Sequence, residues 1–146
     1  MISISHPNAI VLVLAAISLV GCGGSDTAAA KGVPRVKVVT ALYFQAKSKL
    51  GHPPVDEGEF RQAIEAQNVD WRTLGVSGID ELFVSDRDGK PLAIGYGPAP
   101  QGRPFSVVVY EQDGLNGVRL VGSSDGQVQE ADAAKFAQLV PQAATQ

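Results

Sequence analysis

Turn residues recur at short intervals from Ile79 to the end of the chain, leaving the apolar runs between them few ways to pair. Leu82-Phe83-Val84-Ser85 and Leu92-Ala93-Ile94-Gly95 flank Asp86-Arg87-Asp88-Gly89-Lys90-Pro91. The Asp-Gly step suits a positive backbone angle and predicts a hairpin. Phe105 to Tyr110 is β-branched and aromatic apart from Ser106, Gly114 and Asn116-Gly117 mark a turn, and Val118 to Val121 is a second run. Asp125-Gly126 turns the chain again before Val128. Runs this short and this close pair with their sequence neighbours, which predicts an antiparallel meander of about four or five strands.

Upstream, the periodicity is helical. Val36, Val39, Tyr43, Ala46 and Leu50 fall on one stripe, and Gly51 with Pro53-Pro54 ends it. The β-branched residues Val36, Val38, Val39 and Thr40 weaken its first turn. A second, shorter helix starts at Asp56, which can cap it while Glu59 reaches back as in a capping box; Phe60, Ala63, Ile64 and the stem of Gln67 form its buried side. Ala131 to Leu139 reads as a short closing helix stopped near Pro141, with Ala134, Phe136 and Leu139 available for burial. The expected fold class is α+β: one or two N-terminal helices packed on one face of a small antiparallel meander, then a short C-terminal helix.

The first third of the chain bears on location. Ile10 to Val20 is an eleven-residue stretch, apolar apart from Ser18, against the roughly 20 needed for a helix to cross a bilayer. It has the length of a signal-peptide core, although Met1 to Asn8 carries no Lys or Arg. Leu19-Val20-Gly21-Cys22 closes the run and contains the only cysteine. This sequence resembles a bacterial lipobox. The resemblance implies cleavage before Cys22 by signal peptidase II, a diacylglycerol on its thiol, and an exported, lipid-anchored protein of the cell membrane. Gly23 after the cysteine, where Asp would signal inner-membrane retention, implies the outer membrane in a diderm organism. The expected organisation is a signal peptide at 1–21, a lipidated cysteine and flexible tether at 22–33, one domain at 34–141 and a tail at 142–146. A chain without a second cysteine forms no internal disulfide.

Charge is unevenly placed. Lys31 to Lys49 holds five basic residues and no acidic ones, whereas Leu50 to Gln146 holds seven basic and fourteen acidic. Lys31, Arg35 and Lys37 either meet anionic lipid or form the solvated face of a helix. A net charge of −3 and an acidic body argue against nucleic acid as a partner.

Chemistry-bearing residues are sparse. His52, in the Gly51-His52-Pro53-Pro54 loop, is the one imidazole outside the leader; alone it is a candidate general base and cannot complete a zinc site. No nucleophile-elbow pattern surrounds Ser77, Ser85, Ser106 or Ser123. Asp86-Arg87-Asp88-Gly89 shares alternating carboxylates with calcium loops. Register with an EF-hand, however, puts Val84 and Gly95 at the first and twelfth ligand positions, which excludes that motif. The Gly- and Pro-rich stretch 95–104, with Tyr96 and Arg103, is a candidate contact loop or a plain connector. Trp71 reads as a core or sheet-covering aromatic. No cofactor motif is present, and the expected role is non-enzymatic: binding an envelope protein partner through the sheet or the 95–104 loop, or structural support. A small envelope hydrolase or ion-binding enzyme using His52 is the alternative.

Two further resemblances concern the domain. Ala41-Leu42-Tyr43-Phe44, the 51–54 loop and Glu59-Phe60, followed by the meander, resemble the helix, loop, short helix and sheet of type II secretion pseudopilins. Ser85-Asp86-Arg87-Asp88-Gly89 and the stretch from Tyr110-Glu111 to Gly117-Val118-Arg119 are similar to small lipoproteins of the planctomycete type. The pseudopilin resemblance implies a pilin-like fold and an accessory role in a secretion or pilus-like apparatus, and neither resemblance supplies catalytic residues.

Overall fold

The computed structural model describes residues 33–99 and 106–141. Helix α1 (Arg35–Leu50), helix α2 (Glu57–Glu65) and the one-turn helix α3 (Ile79–Leu82) precede the strands β1 (Ala93–Ile94), β2 (Val107–Tyr110), β3 (Arg119–Ser123) and β4 (Val128–Ala131). Helix α4 (Ala133–Leu139) follows. The strands form one antiparallel sheet in the order β1-β2-β3-β4. Each strand lies beside its sequence neighbour, as the turn spacing requires, and the fold class is α+β. Asn116 and Gly117 carry the paired positive φ values, 54° and 78°, that a two-residue turn between twisted strands demands.

Helix α1 buries Val36, Val39, Tyr43 and Ala46 from the expected stripe; Thr40 and Leu42 join them, and Leu50 is half-buried. Its β-branched first turn is fixed from outside the helix. Arg35 Nη1 donates to the carbonyls of Glu81 (2.9 Å) and Val84 (3.0 Å), Nη2 donates to Glu81 Oε1 (2.6 Å), and the Arg35 backbone N–H donates to Asp86 Oδ1 (3.1 Å). Tertiary bonds thus supply what local propensity lacks. Arg35 is held inside the fold and does not belong to a solvated helix face.

Helix α2 begins as its cap predicts, with Asp56 Oδ1 accepting the N–H of Glu59 at 2.8 Å. Glu59 Oε2 reaches one residue further back than in a capping box and accepts the N–H of Val55 at 2.8 Å. The helix buries Phe60 and Ile64. Phe60 is the hub of the aromatic core, with ring centroids of Tyr43, Phe83 and Tyr96 at 5.4, 5.8 and 6.4 Å. Trp71 packs at the edge of this core.

Two elements depart from the sequence reading. Leu82 to Ser85 is not a strand: Leu82 ends α3, and Val84 makes only an isolated bridge to Pro91. Leu82 and Phe83 are both buried in one core, whereas consecutive strand residues point to opposite faces. A helical turn delivers both. The expected hairpin turn survives, closed by Ser85 N–H to the Lys90 carbonyl (2.8 Å) and Leu92 N–H to the Phe83 carbonyl (2.8 Å), with Gly89 at φ 70°. Ala131 ends β4 opposite Arg119, so α4 starts two residues later, capped by Asp132 through the N–H of Lys135 at 2.8 Å.

The N-terminal helices cover one face of the sheet, as expected, and α4 covers the other. Leu120 of β3 joins the core beneath α1 and α2, while Val121 packs with Ala131 and Phe136 on the other side. Gly122 returns to the α1 side. A Cβ there would run into Thr40 Oγ1 and come within 2.9 Å of Thr40 Cγ2, so helix and sheet approach as closely as they do because residue 122 has no side chain. Across the sheet, Tyr110 and Phe136 meet edge to face at 5.3 Å, and the Arg119 guanidinium lies 4.4 Å from the Phe136 ring centroid.

Candidate functional site

Of the residues singled out in the sequence, Cys22 and Arg103 lie outside the described residues. His52 follows the left-handed C-cap of α1 and is half exposed. Its Nδ1 is 2.9 Å from the Pro53 carbonyl and so carries the proton in that bond. Nε2 stands 3.8 Å from Glu59 Oε1, beyond hydrogen-bonding distance. Glu59 is itself occupied by the Val55 N–H. Among the described residues no hydroxyl bonds to the ring, so His52 has one carboxylate neighbour and no paired nucleophile.

Tyr96 is half-buried against Phe60 and is not a freely exposed contact residue. Burial, reinforced by the nearby Glu57 carboxylate, pushes its hydroxyl up to about 12, so the ring stays neutral at physiological pH. It lines a cleft of about 380 Å³ with Glu57, Arg61, Asp80 and Phe83. Arg61 fills that cleft's polar side: its guanidinium bonds Glu57 and Asp80 at 2.7 Å each and lies 4.7 Å from the Phe83 ring centroid.

The Ser85 to Gly89 stretch is densely bonded, and its bonds run inward. Glu111 is fully buried and receives Ser85 Oγ–H at 3.0 Å, the Leu120 N–H at 2.7 Å and the Arg87 guanidinium at 3.1 Å. Arg87 Nη2 also donates to the Val118 carbonyl at 3.2 Å. Asp88 accepts the N–H groups of Lys90 (2.9 Å), Asp113 (3.0 Å) and Gly114 (2.9 Å). Burial would raise the Asp88 carboxyl, but these three bonds outweigh it and hold the group below the usual carboxylate range. The alternating Asp86 and Asp88 that suggested a cation loop are thus engaged by N–H donors. Together these bonds clasp the 85–90 turn to the β2–β3 hairpin. Glu111 gave no sequence signal of this role, since its burial depends on an arginine 24 positions earlier.

A different surface has the composition of a binding site. Residues 69–75 fold as successive turns held by the Trp71 carbonyl, which accepts the N–H groups of Leu74 and Val76 at 3.1 Å each. They stand beside the outer face of α1 and leave a groove of about 500 Å³, floored by Val38, Leu42, Val69 and Leu74 and flanked by Lys37 and Arg72. No acidic side chain lines it. The nearest carboxylate in sequence, Asp70, turns to the Arg72 N–H (3.1 Å) and the Thr73 hydroxyl (3.0 Å). Val33, the first described residue, lies at the rim. No sequence signal marks this groove: Val38 and Leu42 fall off the Val36-Val39-Tyr43 stripe, and nothing local links them to Val69 and Leu74 about thirty positions later.

No protein-family model, curated protein or solved structure matches this chain.

Proposed function

We propose that the protein is a membrane-tethered envelope lipoprotein whose domain serves as a non-enzymatic binding or structural module. Leu19-Val20-Gly21-Cys22 at the end of the mostly apolar stretch from Ile10 carries this reading, because position, spacing and the small residues at the junction all fit lipoprotein processing. Among the described residues no helix is long and apolar enough to cross a membrane, and on this reading the acylated cysteine supplies the attachment. Each buried methylene of an acyl chain contributes about 0.8 kcal/mol, so two or more chains hold a domain of this size lastingly. Outer-membrane placement in a diderm organism follows from Gly23.

The domain side of the proposal draws on what surrounds His52: one carboxylate at 3.8 Å and no hydroxyl partner among the described residues. A hydrolase or ion-binding enzyme using His52 would need a nucleophile, water or metal held by further groups. Cys22→Ser tests the anchor. It should abolish incorporation of labelled fatty acid and leave position 22 without a diacylglycerol by mass spectrometry; persistent labelling of the variant refutes the assignment.

A second reading, an accessory of a type II secretion or pilus-like apparatus, draws on the order of α1, the 51–54 loop, α2 and the meander. Crosslinking of the native lipoprotein in its membrane separates the two: capture of components of such an apparatus selects the second.

A further inference from the structure

We propose that the groove between α1 and residues 69–75 is the face this domain turns to the bilayer. Val38, Leu42, Val69 and Leu74 take an acyl chain of an anionic phospholipid, and Lys37 and Arg72 hold its phosphate. The inference rests on the lipid-anchor reading of Cys22 and deepens it.

The first argument is electrostatic. Arg35, Arg61, Arg87 and Lys90 are each paired with a carboxylate. Lys37 and Arg72 pair with no carboxylate among the described residues, and they flank a groove without an acidic lining residue. From Leu50 onward acidic residues outnumber basic ones by fourteen to seven, so most of the surface is repelled by an anionic membrane. Among the described residues Lys47, Lys49, Arg119 and Lys135 also lack a carboxylate partner, but none of them lines this apolar groove. A groove with two such cations and no carboxylate in its lining can approach an anionic surface.

The second argument is apolar. Inward-facing side chains of α1 are consumed by the core, yet Val38 and Leu42 also line the groove, opposite Val69 and Leu74. An apolar cleft bracketed by cations matches a phospholipid, with a charged phosphate directly above its chains. The third argument is reach. Val33 lies at the groove rim and is eleven residues beyond Cys22. Even fully extended, that chain carries the rim no more than about 40 Å from the anchor.

The test uses the processed, acylated protein in phosphatidylcholine vesicles with and without phosphatidylglycerol, the acyl chains bearing bromine as a quencher. A fluorophore is placed at Thr73→Cys beside the groove or at Gln138→Cys on α4, across the sheet. Quenching at position 73 should exceed that at 138 and should depend on phosphatidylglycerol. Each basic residue near an anionic surface contributes a factor of about five, so Lys37→Glu with Arg72→Glu should bring position 73 down to the level of 138. Ala41→Asp, an exposed groove position, should do the same with both cations intact. Equal quenching at the two positions, or quenching indifferent to phosphatidylglycerol or to the charge reversal, overturns the proposal. So does shielding of position 73 from an aqueous quencher without bromine quenching, which would place a protein in the groove. If mass spectrometry finds no lipid on wild-type Cys22, the anchor reading falls and this inference with it. If Cys22 is lipidated and position 73 behaves as 138 does, only the groove assignment falls.

Discussion

Two single residues set tolerances that the rest of the domain must respect. Gly122 lets α1 rest on β3, with Thr40 Cγ2 and Cβ at 2.9 and 3.0 Å from where a Cβ would stand. Gly122→Ala should therefore cost about 1–3 kcal/mol, the range for overpacking a tight contact, read as a lower urea midpoint. Adding Thr40→Ala should restore part of the loss by removing Oγ1 and Cγ2, the two closest atoms. Glu111 sets the second tolerance, since three donors converge on its buried carboxylate. Glu111→Ala should cost about 3 kcal/mol, the low end for breaking a buried pair because Arg87 keeps some access to solvent. Adding Arg87→Ala should cost little more, since it removes the stranded charge, and a double-mutant cycle by urea unfolding measures this. Neither role is legible locally. Gly122 reads as a weak strand position and Glu111 as an acid beside an apolar run, until the fold brings Thr40 and Arg87 to them.

Elements with strong local signals formed where the sequence placed them, and the exceptions share a cause. Helix α2 has its own cap at Asp56, the β2–β3 turn has its own Asn116-Gly117, and α1 has Gly51 at its end; each is fixed by residues within a few positions. Leu82 to Ser85 and Ala131 were misplaced because apolar residues in short runs satisfy helix and strand equally, and burial against a distant surface chose between them. Helix α4 shows how that choice matters. It is only seven residues long, too short to be stable alone, and Phe136 fastens it to the sheet face opposite α1. Phe136→Ala should destabilise by about 3 kcal/mol, as for other large-to-small changes at buried aromatics. Amide exchange should accelerate first in α4 and β4, while α1 and β2 keep their protection; uniform acceleration would show that α4 is not a separable layer.

At the scale of the molecule, acid should loosen the fold in one direction. Asp88 is held low because three N–H bonds outweigh its burial; Glu81 is lowered chiefly by the Ser77 N–H and hydroxyl; Asp125 is lowered chiefly by the Ser123 hydroxyl. A carboxyl lowered in the folded state contributes stability above its unfolded pKa, about 3.9 for Asp, and loses it as pH falls through the lower folded value. Urea midpoints should thus stay level down to about pH 4 and then drop. Asp88→Asn should flatten that drop, and an unchanged slope would show that Asp88 is not a main contributor. The sequence by itself determined the meander, its turns and the two N-terminal helices, because each rests on neighbours a few residues apart. Only the tertiary structure decided that α4 covers the second face, that the 85–89 motif clasps a hairpin, and that α1 and residues 69–75 leave a cationic, apolar groove. Those features join positions 24 to more than 30 residues apart, and burial and ion pairing at such separations leave no periodic or local signature in the chain.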